Sequence, residues 1–238
     1  MQRRVALYGG TFDPVHSGHI AVARELQELF ALDEVLLIPA FVAPHKRGAR
    51  VTPALHRHAM IALATQHEPH ARISTIELDC PARPYTIETI ERVQLERGAA
   101  VWRTFFVMGA DSWLEIETWH EWQRLLALTD VIVVTRPGYE SAANHCPNGF
   151  TRNRVVDVRG YDAGKLKVLL EENALLESQT AQPGRHGFET RVYFSDAVMS
   201  GVAATLIRRL AENRDESLNE FVPLAVAEYI AKYELYQK

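Results

Sequence analysis

Two histidines, His16 and His19, flank Gly18 in the stretch Gly9-Gly10-Thr11-Phe12-Asp13-Pro14-Val15-His16-Ser17-Gly18-His19-Ile20. At helical spacing i and i+3 both imidazoles project to one side. The short run Val5–Tyr8 precedes them, and Val22, Leu26, Leu29 and Phe30 follow at i, i+4, i+7 and i+8, one apolar helix face. The pair therefore belongs to a strand-to-helix turn, where open parallel sheets bind ligands. Glycines let backbone N–H groups approach an anion, and a helix amino end adds partial positive charge. The chemistry expected is phosphate binding, with imidazole N–H groups as donors. A lone histidine here would be read as a cap or a packed ring; two in one glycine-rich turn favour a shared anion. A zinc site is disfavoured, because HExxH spacing and a nearby third ligand are missing, so no protein-held metal is expected.

Neither of the common phosphate loops is present, since GxGxxG needs three spaced glycines and the P-loop needs GxxxxGK[ST]. Gly160-Tyr161-Asp162-Ala163-Gly164-Lys165-Leu166 imitates the latter but is one residue short and lacks the hydroxyl after the lysine. It is read as noise.

Such a turn needs a sheet behind it. Short apolar runs alternate with helical periodicity, the pattern of βαβ units around a parallel sheet. Strands are expected at Val5–Tyr8, Val35–Pro39, Arg72–Leu78, Thr104–Met108, Val131–Thr135 and Thr190–Phe194. Crossover helices are expected over Leu55–Ala64 and Tyr85–Leu95, and later helices over about Val202–Asn213 and Pro223–Tyr233. Between Gly138 and Gly187 the chain is rich in Gly, Pro, Asn and Ser, an excursion with a helix over Lys165–Glu177. It could close over the site, form a subunit contact or cover an edge strand. The expected architecture is α/β, a Rossmann-like doubly wound parallel sheet with a small helical carboxyl-terminal part. One domain spans 1–238, with a core over 1–136, the excursion over 138–187, and a strand and helices over 190–238.

The composition excludes several classes. Thirty acidic against 26 basic residues, a net charge of −4, argue against a protein that coats nucleic acid. Two cysteines, Cys80 and Cys146, cannot build a disulfide framework and sit in no ligand spacing. Gly9 arrives before any apolar run long enough for a signal peptide, and no stretch approaches the ~18 apolar residues of a membrane span. A cytoplasmic protein with no membrane and no nucleic-acid partner is expected, and small anionic ligands remain open.

The block Gly9 to His19 resembles the GGTFDPxHxGH signature of bacterial nicotinate-nucleotide adenylyltransferases, in the nucleotidyltransferase superfamily marked by [HT]xGH. Further stretches are similar in the family's order: Pro39 to Lys46 to its PxxxPHK segment, Arg83 to Thr89 to SYTIDT, and Met108-Gly109-Ala110-Asp111-Ser112 to its GxD turn. Trp119 with His120, Thr135-Arg136-Pro137-Gly138-Tyr139, and Val202 to Arg208 match the substrate aromatic, RPGY and ISxTxIR. Two residues depart from the pattern: Ala203 replaces the usual Ser, leaving Ser200 as the nearest hydroxyl for a cap, and Arg83 precedes Pro84.

The resemblance implies adenylyl transfer from ATP to nicotinate mononucleotide, giving nicotinate adenine dinucleotide and pyrophosphate, with Mg²⁺ carried on the ATP phosphates. By it, His16, His19 and Arg208 are catalytic, and Gly9, Gly10, Thr11, Phe12, Gly109, Asp111 and Thr205 join them in binding ATP. Lys46, Tyr85, Thr86, Trp119 and Arg136 would hold the mononucleotide. Nicotinamide mononucleotide or another phosphorylated small molecule is the alternative acceptor, and a nucleotide sensor without turnover the alternative class. Oligomeric state is left open. The acidic excess is expected away from the site.

Overall fold

The structure, a computed structural model, describes residues 2–41, 51–80, 84–98, 101–180, 190–196 and 202–237. Seven parallel strands form one sheet in the order β3-β2-β1-β4-β5-β7-β6. They are β1 (Arg3–Gly10), β2 (Glu34–Pro39), β3 (Ala71–Ile73), β4 (Trp102–Gly109), β5 (Asp130–Val134), β6 (Val155–Asp157) and β7 (Val192–Ser195). The helices are α1 (Ser17–Leu29), α2 (Ala54–Thr65), α3 (Thr86–Arg97), α4 (Ala110–Leu114), α5 (Trp122–Leu128), α6 (Ala163–Thr180), α7 (Ala204–Glu212), α8 (Leu218–Phe221) and α9 (Leu224–Lys232).

Strand parity sorts the core into layers, because alternate side chains leave opposite faces. Val5 and Leu7 of β1, Phe106 and Met108 of β4, and Val131 and Val133 of β5 pack under α3, α4 and α5. On the other face Ala6, Phe105, Val107 and Ile132 meet α1 and α6 through Leu26, Phe30, Leu166 and Leu170. A third cluster gathers α2, α7 and α9 around Phe12, Val15 and Ile20, so the carboxyl-terminal helices pack directly against the glycine-rich stretch. Winding reverses between β1 and β4, and the crevice at their carboxyl ends is where a doubly wound sheet takes its ligand.

The α/β reading holds, with four differences. Both glycines belong to β1 itself, in register with Ile38 and Pro39 of β2. The strand expected over Arg72–Leu78 stops at Ile73. There Thr75 donates its hydroxyl to Asp79 at 2.6 Å, and the Asp79 N–H returns to the Thr75 carbonyl at 2.9 Å, closing a turn. The last strand runs Val192–Ser195 rather than Thr190–Phe194. The excursion contributes β6, unexpected from sequence, which lies outside β7 at the sheet edge, and α6, which packs through Leu166 and Leu170.

Phe30, fully buried, meets Phe105 and Tyr193 edge-on at 5.8 and 5.7 Å and anchors the end of α1. Phe30→Ala should destabilise the fold by about 3–5 kcal/mol. Urea unfolding followed by circular dichroism checks this; a loss below ~1 kcal/mol would contradict the anchoring role.

Candidate active site

α1 begins inside the motif. His16 is its N-cap residue, extended at φ −144° and ψ 170°, and His19 stands at the third helical position. There a capping box carries Glu or Gln, whose side chain accepts the N-cap N–H. Here the imidazole does so, the His16 N–H donating to His19 Nδ1 at 3.2 Å. With Nδ1 an acceptor, the neutral ring carries its proton on Nε2, which is thereby a donor of fixed direction. The two rings stack with centroids 3.7 Å apart and planes 32° apart, and Phe12 meets His19 edge-on at 5.0 Å.

His16 is buried, and its Nδ1 has no hydrogen-bond partner among the described residues. Burial lowers its pKa to about 4. Burial first, and the neighbouring His16 second, hold His19 well below the usual imidazole value. Near neutral pH both rings are uncharged N–H donors, which is what allows them to stack.

Two cavities open beside the ends of β1 and β4. The smaller, about 200 Å³, lies on the α1 side between His16, His19, Gly109, Thr135, Arg136 and Val202. A Cβ on Gly109 would meet the Asp111 carboxylate, which would have to swing aside. Asp111 accepts from Arg136 Nη2 at 2.7 Å, an exposed pair at the rim. The larger cavity, about 480 Å³, lies on the α3 side and includes Gly9, Gly10, Thr11, Tyr85, Thr86 and Trp119. Gly10 is needed for a close approach, since a Cβ there would stand 3.0 Å from the Phe12 ring, which is itself buried at φ +48°. Trp119 is half-buried and meets Phe106 edge-on at 6.1 Å, while Tyr85 stacks on His120 at 4.0 Å across the mouth. Of the other tryptophans, Trp113 and Trp122 are core, and Trp102 lies under the guanidinium groups of Arg3 and Arg97.

The anticipated residues thus divide between two cavities. Arg136, expected beside the mononucleotide, lines the smaller one with the histidines, whereas Gly9, Gly10 and Thr11, expected beside ATP, line the larger. Arg208 approaches from α7, its Nη1 donating to the Asp13 carbonyl at 2.7 Å and its Nη2 to Thr205 Oγ1 at 3.2 Å. The amino end of α7 has no side-chain cap at Ala203. Lys46, Arg83 and Ser200 lie outside the described residues. Asp13, Glu77 and Asp111 stand within or against the site beside Arg57, Arg136 and Arg208, so these described residues carry no acidic excess there.

Sequence reasoning missed Arg57 and Glu77. Arg57, only 1% exposed, donates from Nε to the Thr52 carbonyl at 2.9 Å, from Nη1 to Thr11 at 2.7 Å and from Nη2 to Phe41 at 3.2 Å. Glu77 lines the larger cavity and accepts from Thr89 Oγ1 at 2.9 Å and from the Phe41 backbone; burial raises its pKa. Both meet Phe41 only through the tertiary fold, so no local pattern announces them.

A glycine strand end, a helix amino end and uncharged N–H donors thus meet at a topological switch with a cavity on either side, the arrangement of an anion-binding crevice in a doubly wound α/β sheet. The model of the cytidylyltransferase-like family matches residues 7–210. The chain is 36% identical to a probable nicotinate-nucleotide adenylyltransferase of Symbiobacterium thermophilum, over 98% of this chain and 95% of that one. It is 33% identical to one from Desulfatibacillum aliphaticivorans, over 98% and 99%. The chain belongs to the cytidylyltransferase-like family, among its nicotinate-nucleotide adenylyltransferases. In fold it is similar to a Plasmodium falciparum nicotinic acid mononucleotide adenylyltransferase complexed with NaAD, with a TM-score of 0.66 at 16% identity over 99% and 98% of the two chains.

The neutral histidines make stability depend on pH. Between about pH 4 and 6.5 the unfolded chain binds a proton at His16 that the folded chain does not. Stability therefore rises with pH through that window, by at most about 3 kcal/mol for His16, and His19 acts in the same direction. Urea midpoints at pH 4.5 and 7.5 should differ less in His16→Asn than in wild type; equal pH dependence would contradict the assignment.

Proposed function

We propose that the protein transfers the adenylyl group of ATP to nicotinate mononucleotide, releasing pyrophosphate and forming nicotinate adenine dinucleotide, a step of NAD synthesis. The observation that carries this reading is the pair of cavities on opposite faces of the sheet, with the stacked, neutral His16 and His19 beside the shared strand ends. Each cavity takes one nucleotide, and their phosphates meet where β1 ends.

A phosphate oxygen of the mononucleotide attacks the α-phosphorus of ATP. The new P–O bond forms as the bond to the β-phosphate's bridging oxygen breaks, and that oxygen leaves with its electron pair as pyrophosphate. A phosphate monoester with a second pKa near 6 arrives largely ionised, so no general base is required. The protein aligns the reactants and meets charge building on the leaving group. His19 Nε2–H, oriented by the His16 N–H, donates to the triphosphate, as do His16 and the N–H groups of Arg208 not engaged with Asp13 and Thr205. Arg136 faces the same cavity. Trp119 and Tyr85 supply aromatic surface for the pyridine ring in the larger cavity, with Thr86 at its wall.

The donor set of N–H groups and guanidinium suits phosphate oxygens rather than a metal ion, which fits Mg²⁺ held by the triphosphate itself. Bound there, Mg²⁺ offsets phosphate charge. Substrates of this kind make the cytoplasm its compartment in this reading.

Dinucleotide formation from Mg-ATP and nicotinate mononucleotide, followed by chromatography, tests the reading. Nicotinamide mononucleotide should give a much lower kcat/KM, and equal values for the two would refute the acid preference. His19→Asn keeps a side-chain oxygen for the His16 N–H and loses the outward donor. It should lower kcat by about 10²–10³; near-normal turnover would sink the donor role.

A further inference from the structure

Asp13 is the one charged residue of the glycine-rich motif, and adenylyl transfer gives its carboxylate no direct task. It is buried, and its Oδ1 accepts the Tyr236 hydroxyl at 2.9 Å. Its Oδ2 meets the Thr52 N–H at 3.4 Å, a long bond. Tyr236 comes from the far end of the chain, beyond α9, and its ring packs on the cluster joining α2, α7 and α9. Arg208 grips the same motif residue at its carbonyl, at 2.7 Å. Asp13 is thus held at side chain and backbone by two carboxyl-terminal residues, two positions after Thr11, whose carbonyl is held by Arg57.

We propose that Tyr236 is a positioning residue for nucleotide binding and transfer: its hydroxyl, donated to the Asp13 carboxylate, holds the turn that delivers His16 and His19 to the triphosphate. The consequence for catalysis rests on the adenylyl-transfer reading; the consequence for binding does not. Without the hydroxyl, the carboxylate keeps only the long Thr52 contact and turns toward the Arg57 guanidinium. Arg57 then shares with Asp13 the donors it gives to the Thr11 carbonyl, and the turn loses its fixed path. The ring itself stays, so packing against the helices is unchanged in a phenylalanine variant.

The test compares wild type, Tyr236→Phe and Tyr236→Leu in titrations with Mg²⁺ and the α,β-methylene analogue of ATP, which cannot be cleaved at that bond. Tyr236→Phe should bind the analogue about fivefold more weakly, less than the whole of one hydrogen bond to a charged acceptor, with a thermal midpoint lowered by less than that of Tyr236→Leu. In turnover its kcat should fall about tenfold, with KM for the mononucleotide unchanged. Tyr229→Phe, which loses a hydroxyl 3.0 Å from His56 Nδ1 instead, should behave as wild type. On an Asp13→Ala background, where the hydroxyl keeps only its contact with the Thr52 side chain, Tyr236→Phe should cost much less than it does alone.

Wild-type affinity in Tyr236→Phe, with loss confined to Tyr236→Leu, would reduce Tyr236 to packing and overturn the proposal. So would effects of Asp13→Ala and Tyr236→Phe that simply add. If Asp13→Ala does not fold, the comparison of Phe with Leu decides alone. A wild type that binds the analogue but forms no dinucleotide would sink the transfer reading while leaving this one to the binding data.

Discussion

A guanidinium removed from water must have its N–H groups met, or the ion is intolerable in the interior. Arg57 satisfies that condition with the carbonyls of Thr11, Phe41 and Thr52, three pieces of irregular chain that share no strand or helix. Irregular chain has no ladder to fix it, and a cation surrounded by backbone oxygens supplies the fixation instead. The helix that carries Arg57 is seated by Met60 and Ile61, both fully buried. Core packing of α2 is thereby transmitted, through one side chain, to the backbone beside Gly10.

The electrostatics of the site follow a related economy. Histidines charged as a pair at 3.7 Å would repel each other, and burial keeps them neutral. The cations nearby are already committed, Arg136 to Asp111 and Arg208 to the Asp13 carbonyl. Among the described residues the strand ends thus present oriented N–H dipoles together with the Arg208 guanidinium, whose bonds to a carbonyl and a hydroxyl leave its charge in place. Asp13 and Glu77, although acidic, build the scaffold in which the donors are mounted.

What could be read from the sequence was local. Eleven adjacent residues announce the turn, and continuous apolar runs announce β1, β2, β4 and β5, which are buried on both faces. Arg72–Leu78 has strand-forming residues throughout, but Thr75 and Asp79 favour a turn once Ile73 has paired. β6 is three residues long and owes its existence to a partner 37 positions onward, so neither length nor alternation reveals it. An arginine in an amphipathic segment is by default a solvated one, and only the tertiary arrangement buries Arg57. The choice of Trp119 among four tryptophans depended on family resemblance alone; the structure places it in the wall of the larger cavity.

The strand order also constrains how the chain is assembled. β7 lies between β5 and β6, although β6 precedes it in the chain. Among the described residues β6 has no other strand to pair with, so its hydrogen bonds wait until the segment around Val192 has been made and placed. During vectorial synthesis β5 therefore presents an open edge while more than fifty further residues emerge, and the sheet is closed last on the side away from β3. The non-local pairing places a loop-closure cost late in folding, in the part of the sheet remote from the glycine turn. The glycine-rich segment can consolidate on β1, β2 and β4 before that edge is finished, although Arg208 and Tyr236, which grip it, arrive later still.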